Sequence, residues 1–261
     1  MSLQLINRVA GVTLFFWIIK ILSTTVGETA ADFVNVDMGL GLTITTLVMG
    51  AVTALSVYWQ FSLKRYFAPA YWFLIIMMSI EGTLITDMLV DQFGISLITL
   101  DVLFTVAMAA VFYLWYKEEG TLSIHKIFNR RRETFYWIIV LVTFALGTAV
   151  GDTVSEYLNF GYLNSLLLFG GIFILAGVLF YTKVLDGVSA FWLAFIVTRP
   201  VGASLGDLMI QAPKDGGLGL STGMVNILFF TVIVALVAYL TKSKIDVEVS
   251  SEEAGKFTKE L

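Results

Sequence analysis

One acidic residue recurs at a fixed position four times along an otherwise apolar chain. Each copy belongs to the pattern Trp, nine residues, Gly, four residues, Asp. The four copies are Trp17–Gly27–Asp32, Trp72–Gly82–Asp87, Trp137–Gly147–Asp152 and Trp192–Gly202–Asp207. Because the Trp-to-Trp steps are 55, 65 and 55 residues, the pattern predicts four tandem repeats, each with one carboxylate at an equivalent position.

Further polar residues lie near the repeated Asp and could bind a cation with it. Glu28 and Asp32 are spaced i,i+4 and share one helix face, and like charges on one face are unfavourable unless a cation or a proton lies between them. The candidate metal ligands are Glu28, Asp32, Glu81, Asp87, Asp101, Asp152 and Asp207. The candidate residues of a substrate pathway are Thr25, Thr83, Thr148, Asn226, Lys20 and Arg199.

Several of these residues have both a structural and a functional interpretation. Lys20 and Arg199 are either structural counter-ions for Glu28, Glu81 or a repeated Asp, or competitors of a transported cation for the same carboxylates. We expect Pro200 to break the helix that carries Arg199. The repeated Gly favour close helix packing. The repeated Trp either pack or form an inner gate or an aromatic cage for an organic cation.

Composition indicates a membrane protein and excludes several kinds of site. Of the 261 residues 58% are hydrophobic and only 14% are charged, against about a quarter charged in soluble proteins. Apolar stretches long enough to span a bilayer recur along the chain. The absence of Cys excludes disulfides and thiolate metal sites, and a single His, His125, excludes a multi-histidine site.

The pattern predicts an all-α membrane protein with eight transmembrane helices, built from four parallel two-helix repeats in two pseudo-symmetric halves. We read the N-terminal apolar segment as the first span, since it is too long for a cleaved signal and already belongs to the repeat. The predicted spans are residues 9–33, 39–62, 67–90, 94–116, 134–157, 160–182, 188–211 and 217–241. The predicted divisions are a first half at 1–116, a basic loop at 117–133, a second half at 134–241 and a charged tail at 242–261.

The distribution of basic residues predicts the orientation. Thirteen Lys and Arg fall on the side that carries both termini and the 117–133 loop, and only Lys214 falls on the other side. This bias places both termini in the cytoplasm. Since every repeat then crosses the membrane in the same direction, the four repeated Asp should share one depth near the outer face and could converge on a central cavity.

The segments FFWIIKILSTTVGETAADF and FYWIIVLVTFALGTAVGD resemble an uncharacterised bacterial membrane-protein family. That family has four tandem copies of a repeat of unknown function, each with two transmembrane spans and a Trp. The resemblance implies eight spans in a bacterial inner membrane and supplies no activity. Two units depart from the first, because in unit two Glu81 precedes the Gly and in unit four Ala203 replaces Glu28, so any site is asymmetric.

We expect an inner-membrane secondary transporter of a cation, a hard divalent metal such as Mn²⁺ or Mg²⁺, with proton coupling through the intramembrane carboxylates. Oxygen ligands suit hard cations. The absence of Cys and of intramembrane His argues against Cu(I) as the substrate and weakens the case for Zn²⁺. The alternatives are an organic-cation or small-metabolite carrier, and a non-transporting scaffold or sensor acting through the basic loop. An enzyme is the weakest interpretation, because no nucleophile–base arrangement or phosphate loop is visible. The expected partners are the bilayer and the cation, without a resident cofactor or nucleic acid.

Overall fold

The computed structural model describes residues 7–248, which contain helices and no strand. Eight helices in this part of the chain are long and apolar enough to cross a membrane, which confirms the predicted fold class. They are α1 Leu14–Asp32, α2 Leu42–Ser62, α3 Ala68–Asp87, α4 Leu97–Glu119, α5 Arg130–Asp152, α6 Tyr162–Tyr181, α7 Gly187–Ile210 and α8 Thr222–Ser243. Helices α1, α3 and α5 each continue into one π-helical turn, at Phe33–Asp37, Met88–Gln92 and Thr153–Tyr157.

Two helix starts differ from the predicted spans because polar side chains cap them. The Oγ1 of Thr13 accepts a hydrogen bond from the backbone N–H of Phe16, so α1 begins five residues later than predicted. The Oδ1 of Asn129 accepts from the N–H of Arg132 at 2.9 Å, so α5 begins four residues earlier. The basic residues that follow Asn129 therefore lie in the first turn of α5 and not in the preceding loop.

The four odd-numbered helices form the interior, and the even-numbered helices surround them. At least 67% of the apolar window of each odd helix is buried, against at most 28% for any even helix. Each odd helix contacts the next one, and α7 contacts α1, so the inner helices close into a ring. Each even helix packs on the odd helix of the following repeat, and α8 completes the cycle on α1. The four repeats are thus arranged around a pseudo-fourfold axis.

The repeated Gly allow the inner helices to approach closely. Each Gly faces the residue that lies three positions before the Gly of the next repeat. The contacts are Gly27 with Ser79, Gly82 with Phe144, Gly147 with Arg199 and Gly202 with Thr24. A Cβ at Gly27 would lie 2.0 Å from the Oγ of Ser79, and one at Gly202 would lie 2.2 Å from the Oγ1 of Thr24. Any side chain at these positions would force neighbouring helices apart.

The repeated Trp form an aromatic layer between the repeats, toward the end that carries residues 7 and 248. In each repeat the aromatic residue just before the Trp packs against the Trp of the next repeat. The pairs are Phe16–Trp72, Tyr71–Trp137, Tyr136–Trp192 and Phe191–Trp17, with ring centroids 5.4, 5.4, 6.2 and 5.7 Å apart. These Trp therefore join neighbouring repeats, and the hydroxyls of Tyr71 and Tyr136 are hydrogen-bonded to each other within the layer.

Helix α7 runs without a break through Pro200, so the prediction of a broken helix is wrong. Neighbouring inner helices support this stretch. The Oγ1 of Thr24 donates to the carbonyl of Thr198 at 3.1 Å. On the other side, a Cβ at Gly147 would lie 3.0 Å from the Cδ of Pro200, so α5 packs directly on the ring. Such contacts allow a proline inside a membrane helix.

The chain after α8 turns back onto the bundle, at the end of the bundle that we call the basic end. The N–H of Gly11 donates to the carbonyl of Asp246 at 2.8 Å, and the N–H of Asn7 donates to the carbonyl of Glu248 at 2.9 Å. The Glu248 carboxylate also pairs with Nδ1 of His125 at 2.8 Å, and this hydrogen bond raises the pKa of His125. The rest of the predicted charged tail, 249–261, lies outside the described residues.

Candidate functional site

A cavity of about 480 Å³ opens at the end of the bundle opposite the basic end, and we call it the acidic cavity. All four repeated Asp line it. Its carboxylates are Glu28, Asp32, Asp37, Asp87, Asp91, Asp152, Glu156 and Asp207, and the lining residues include no Lys or Arg. Glu28 and Asp207 are buried, whereas Asp37, Asp91 and Glu156 are exposed, so the carboxylates extend from the mouth inward.

Most of the lining comes from two positions of the repeat that are four residues apart. The first position holds Asp in all four repeats. The second holds Val36, Asp91, Glu156 and Gln211, and all four of these residues also line the cavity. Because equivalent positions surround one space, the acidic cavity lies on the pseudo-fourfold axis.

The local backbone explains how both positions reach the cavity. Regular α-helix ends at the repeated Asp in α1, α3 and α5, and a π-helical turn of five residues follows. The wider i→i+5 turn is typical of functional sites and changes the direction of the side chains after it. Helix α7 instead remains α-helical past Asp207 and ends at Ile210. The fourth repeat therefore contributes a different rim from the other three.

Arg199 lies beneath the floor of the acidic cavity, where it pairs with the lining residue Glu28, and it connects all four inner helices. Its guanidinium is fully buried and pairs with the Oε2 of Glu28 at 2.7 Å. The nitrogen of this ion pair, Nη2, also donates to the hydroxyls of Thr83 and Thr148. The other terminal nitrogen, Nη1, donates to the backbone carbonyl of Thr24 at 3.2 Å. One cation of α7 is thus bound by oxygen atoms of α1, α3 and α5.

The side-chain partners of Arg199 occupy one position of the repeat, the residue directly after the repeated Gly. This position holds Glu28, Thr83 and Thr148 in the first three repeats and Ala203 in the fourth. The repeat that lacks an oxygen acceptor there is the one that supplies the guanidinium. The geometry favours the interpretation of Arg199 as a counter-ion of Glu28. A cation bound at Glu28 would have to compete with Arg199 for that carboxylate.

Lys20 lies behind Arg199 and makes a different set of contacts. It is fully buried, and its Nζ donates to the Oγ1 of Thr198 at 3.0 Å. The Nζ also lies 3.8 Å from the ring centroid of Phe195 and 4.2 Å from that of Phe144, in cation–π geometry. Among residues 7–248 it has no carboxylate partner. Toward the basic end, the aromatic layer fills the inner ring.

Eight of the residues predicted from the sequence as ligands or pathway residues are not in the cavity lining. Thr83, Thr148, Arg199 and Lys20 lie beneath it, as described above, and the other four are Glu81, Asp101, Asn226 and Thr25. Glu81 faces α2, where a Cβ at Gly50 would lie 3.3 Å from its Oε1. The remaining three make the following hydrogen bonds: Asp101 accepts from the hydroxyl of Thr153 at 2.8 Å, Asn226 bonds both polar groups of Thr29, and Thr25 donates to the carbonyl of Ile21. The bonds of Asp101 and Asn226 join helices and that of Thr25 lies within α1, and the structure brings none of these residues into the cavity lining.

Sequence reasoning did not assign Asp37, Asp91 and Glu156 to the site, although they line its mouth. For Asp91 and Glu156 the i,i+4 spacing to the repeated Asp was the available signal. Asp37 lies five residues after Asp32, at the end of the π-helical turn, and α-helical spacing does not predict its position.

The donor set has consequences for the kind of ion that it could hold. In the described part of the chain, no three Asp, Glu or His side chains lie close enough together to hold one metal ion directly. The cavity volume suits a cation that keeps several of its water molecules and is bound by one or two carboxylates. The lining also contains no aromatic side chain.

The ring of paired helices, with eight helices able to span a bilayer, defines a multi-pass membrane protein built from internal repeats. The model of the family described as Repeat of Unknown Function (DUF347) matches residues 15–66, 70–121, 135–184 and 190–246. The chain belongs to that family, as the resemblance of its segments indicated. Each matched segment covers most of one inner helix and the whole of the outer helix that follows it. Neither the curated proteins nor the solved structures include a match to the chain.

Proposed function

We propose that the protein is a secondary transporter of a hydrated divalent cation such as Mn²⁺ or Mg²⁺, and that the acidic cavity is its entry site. The observation that carries this proposal is the convergence of four repeat-equivalent Asp and four further carboxylates on one space. So many like charges on shared helix faces would repel one another without cations or protons between them. A cavity lined by one sign of charge also concentrates counter-ions.

The lining favours a hard, hydrated cation over an organic one. Carboxylate and amide oxygens are the ligands that Mg²⁺ and similar ions take, and Mg²⁺ usually keeps several water molecules when protein carboxylates bind it. An organic-cation carrier with an aromatic cage would need aromatic rings in the same space. The repeated Trp lie in the aromatic layer, on the far side of Arg199 and Lys20, and are not part of the cavity lining.

Passage beyond the cavity requires the Arg199–Glu28 pair to separate, because this pair closes the floor. A cation that reaches Glu28 can replace the guanidinium as its counter-charge, and a proton can do so when the cation leaves. This exchange gives a physical basis for coupling cation movement to protons. In the proposed cycle the helices rearrange around α7, since Arg199 is the contact that α7 shares with the three other inner helices.

The proposed location is the bacterial inner membrane, with both termini and the basic end in the cytoplasm. The thirteen-to-one distribution of basic residues supports this orientation. The acidic cavity then opens to the outside. Its electrostatic attraction would act on cations in the external solution.

The test is uptake of Mn²⁺ into proteoliposomes loaded with a fluorescent metal indicator and a pH indicator. We expect saturable Mn²⁺ entry with opposite proton movement. Asp152→Asn and Asp207→Asn should each lower uptake at least about tenfold, since each removes a carboxylate of the cavity.

The matched control is Asp215→Asn. Asp215 is an exposed carboxylate in the loop at the same end of the bundle and does not line the cavity. Its variant should transport like the unchanged protein. Absence of Mn²⁺ and Mg²⁺ transport, or equal transport by the Asp152→Asn and Asp207→Asn variants, would refute the proposal. Capture of a partner by residues 117–133 in the absence of any transport would favour the scaffold interpretation.

A further inference from the structure

A second pocket lies at the basic end, between the start of α3 and the end of α8. It has a volume of about 330 Å³, and we call it the cationic pocket because Arg65 and Lys244 line it. Both side chains are exposed, and neither has a carboxylate partner among residues 7–248. Exposed cations without carboxylate partners beside a pocket at the end of membrane-spanning helices favour an anionic ligand.

The cationic pocket also contains one acidic residue, Asp246. Asp246 is buried and accepts a hydrogen bond from the hydroxyl of Tyr66. Burial raises the pKa of Asp246, against the opposing effect of the Tyr66 hydrogen bond. The backbone carbonyl of Asp246 is held by Gly11 at 2.8 Å, so this side of the pocket is fixed to the bundle. The Oδ1 of Asp246 has no hydrogen-bond partner, but the residue is only 2% exposed, so the exposed charge at the pocket comes from Arg65 and Lys244.

An apolar groove continues from the cationic pocket along the membrane-facing side of α3 and α8. Its volume is about 540 Å³, and Trp72, Phe73, Phe230 and Val234 are among its lining residues. Thr241 lines both the groove and the pocket, so the two spaces adjoin. Lys242, the residue after Thr241 in α8, is a third exposed cation and lines the groove.

We propose that this pocket and groove together bind one phospholipid with an anionic headgroup. The phosphate would lie between Arg65 and Lys244, and an acyl chain would occupy the groove between α3 and α8. A cationic pocket at the helix ends with an adjoining apolar groove in the membrane-spanning part matches the two chemical halves of such a lipid. A soluble anion would use the pocket alone, and a zwitterionic lipid would gain less from the two cations. This proposal is independent of the proposed transport function.

The test is native mass spectrometry of the full-length protein in detergent with equal amounts of phosphatidylglycerol and phosphatidylcholine. We expect one phosphatidylglycerol to be retained in preference to phosphatidylcholine. In the double variant Arg65→Gln/Lys244→Gln the affinity for phosphatidylglycerol should fall about 30-fold, because each cation near a lipid surface contributes about a fivefold factor.

The matched control is Lys117→Gln/Lys183→Gln, which removes the same charge from exposed residues at the same end but outside the pocket. It should retain the lipid. A second variant, Ala238→Trp, fills the exposed side of the groove and should weaken lipid binding while leaving the cations in place. Equal retention of the two lipids would overturn the proposal. So would equal losses in the two charge variants, or binding of glycerol phosphate as tight as that of the lipid.

Discussion

The floor of the acidic cavity can be tested by removing the two members of its ion pair separately and together. In Glu28→Met the guanidinium of Arg199, which is fully buried, loses its carboxylate and keeps only neutral acceptors from Thr24, Thr83 and Thr148. Breaking a buried pair by removing one partner costs about 3–5 kcal/mol of unfolding free energy. Since one kcal/mol shifts the melting temperature by about 2–4 °C in a chain of this size, the variant should melt about 10 °C lower.

The double variant Glu28→Met/Arg199→Met should recover most of this loss. Replacing both members of a buried pair with apolar side chains of similar volume is often neutral or stabilising. The interaction energy between the two substitutions should therefore be at least about 2 kcal/mol. The assay is unfolding in detergent followed by tryptophan fluorescence, with all four chains measured at one pH.

The matched control is the Arg131–Glu118 pair at the basic end, where the side chains are 59% and 40% exposed. Its cycle, with both residues changed to Met, should give an interaction energy below about 1 kcal/mol, as exposed pairs do. Additive effects of the Glu28 and Arg199 substitutions would refute the conclusion that this pair supports the floor of the cavity.

Two further predictions concern other parts of the bundle. Gly27→Ala should lower the unfolding free energy by about 1–3 kcal/mol, because its Cβ would overlap Ser79. In the control Gly170→Ala no atom lies within 4 Å of the new Cβ, so thermal unfolding should show no loss, and equal losses would contradict the packing role. The raised pKa of His125 means that its pairing with Glu248 stabilises the fold below the ordinary His value and is lost as the pH rises through the raised pKa. The protection factors of the Asn7 and Val247 amides, which are exchange rates corrected for their intrinsic rise with pH, should therefore fall over that range in the unchanged protein and change little in His125→Gln.

The helices and their repeat organisation were predictable from the sequence because long apolar windows and a fixed period are strong signals. The convergence of the repeated Asp followed from the even number of spans per repeat. The sequence also contains the information that Glu81 does not face the cavity. Glu81 precedes Asp87 by six residues, which places the two side chains about 120° apart around an ideal helix.

Other features depend on contacts between repeats, which sequence patterns do not specify. The pairing of Arg199 with Glu28 requires the position of α7 relative to α1, and the continuity of α7 through Pro200 requires the support of its neighbours. The sequence predicts Asp101 as a ligand because it lies at about the same depth in the membrane as the repeated Asp. Its helix, α4, packs outside α5, so its carboxylate binds Thr153 and does not reach the cavity.

Equilibrium binding of Mn²⁺ to the purified full-length protein, measured by isothermal titration calorimetry, tests the central claim most directly. We expect saturable binding that Asp87→Asn/Asp152→Asn abolishes and that Glu81→Gln preserves, since the first pair lines the acidic cavity and Glu81 faces α2. Absence of saturable binding would contradict the assignment of the acidic cavity as a cation site. Loss of binding in Glu81→Gln, with retention in the double variant, would contradict it equally.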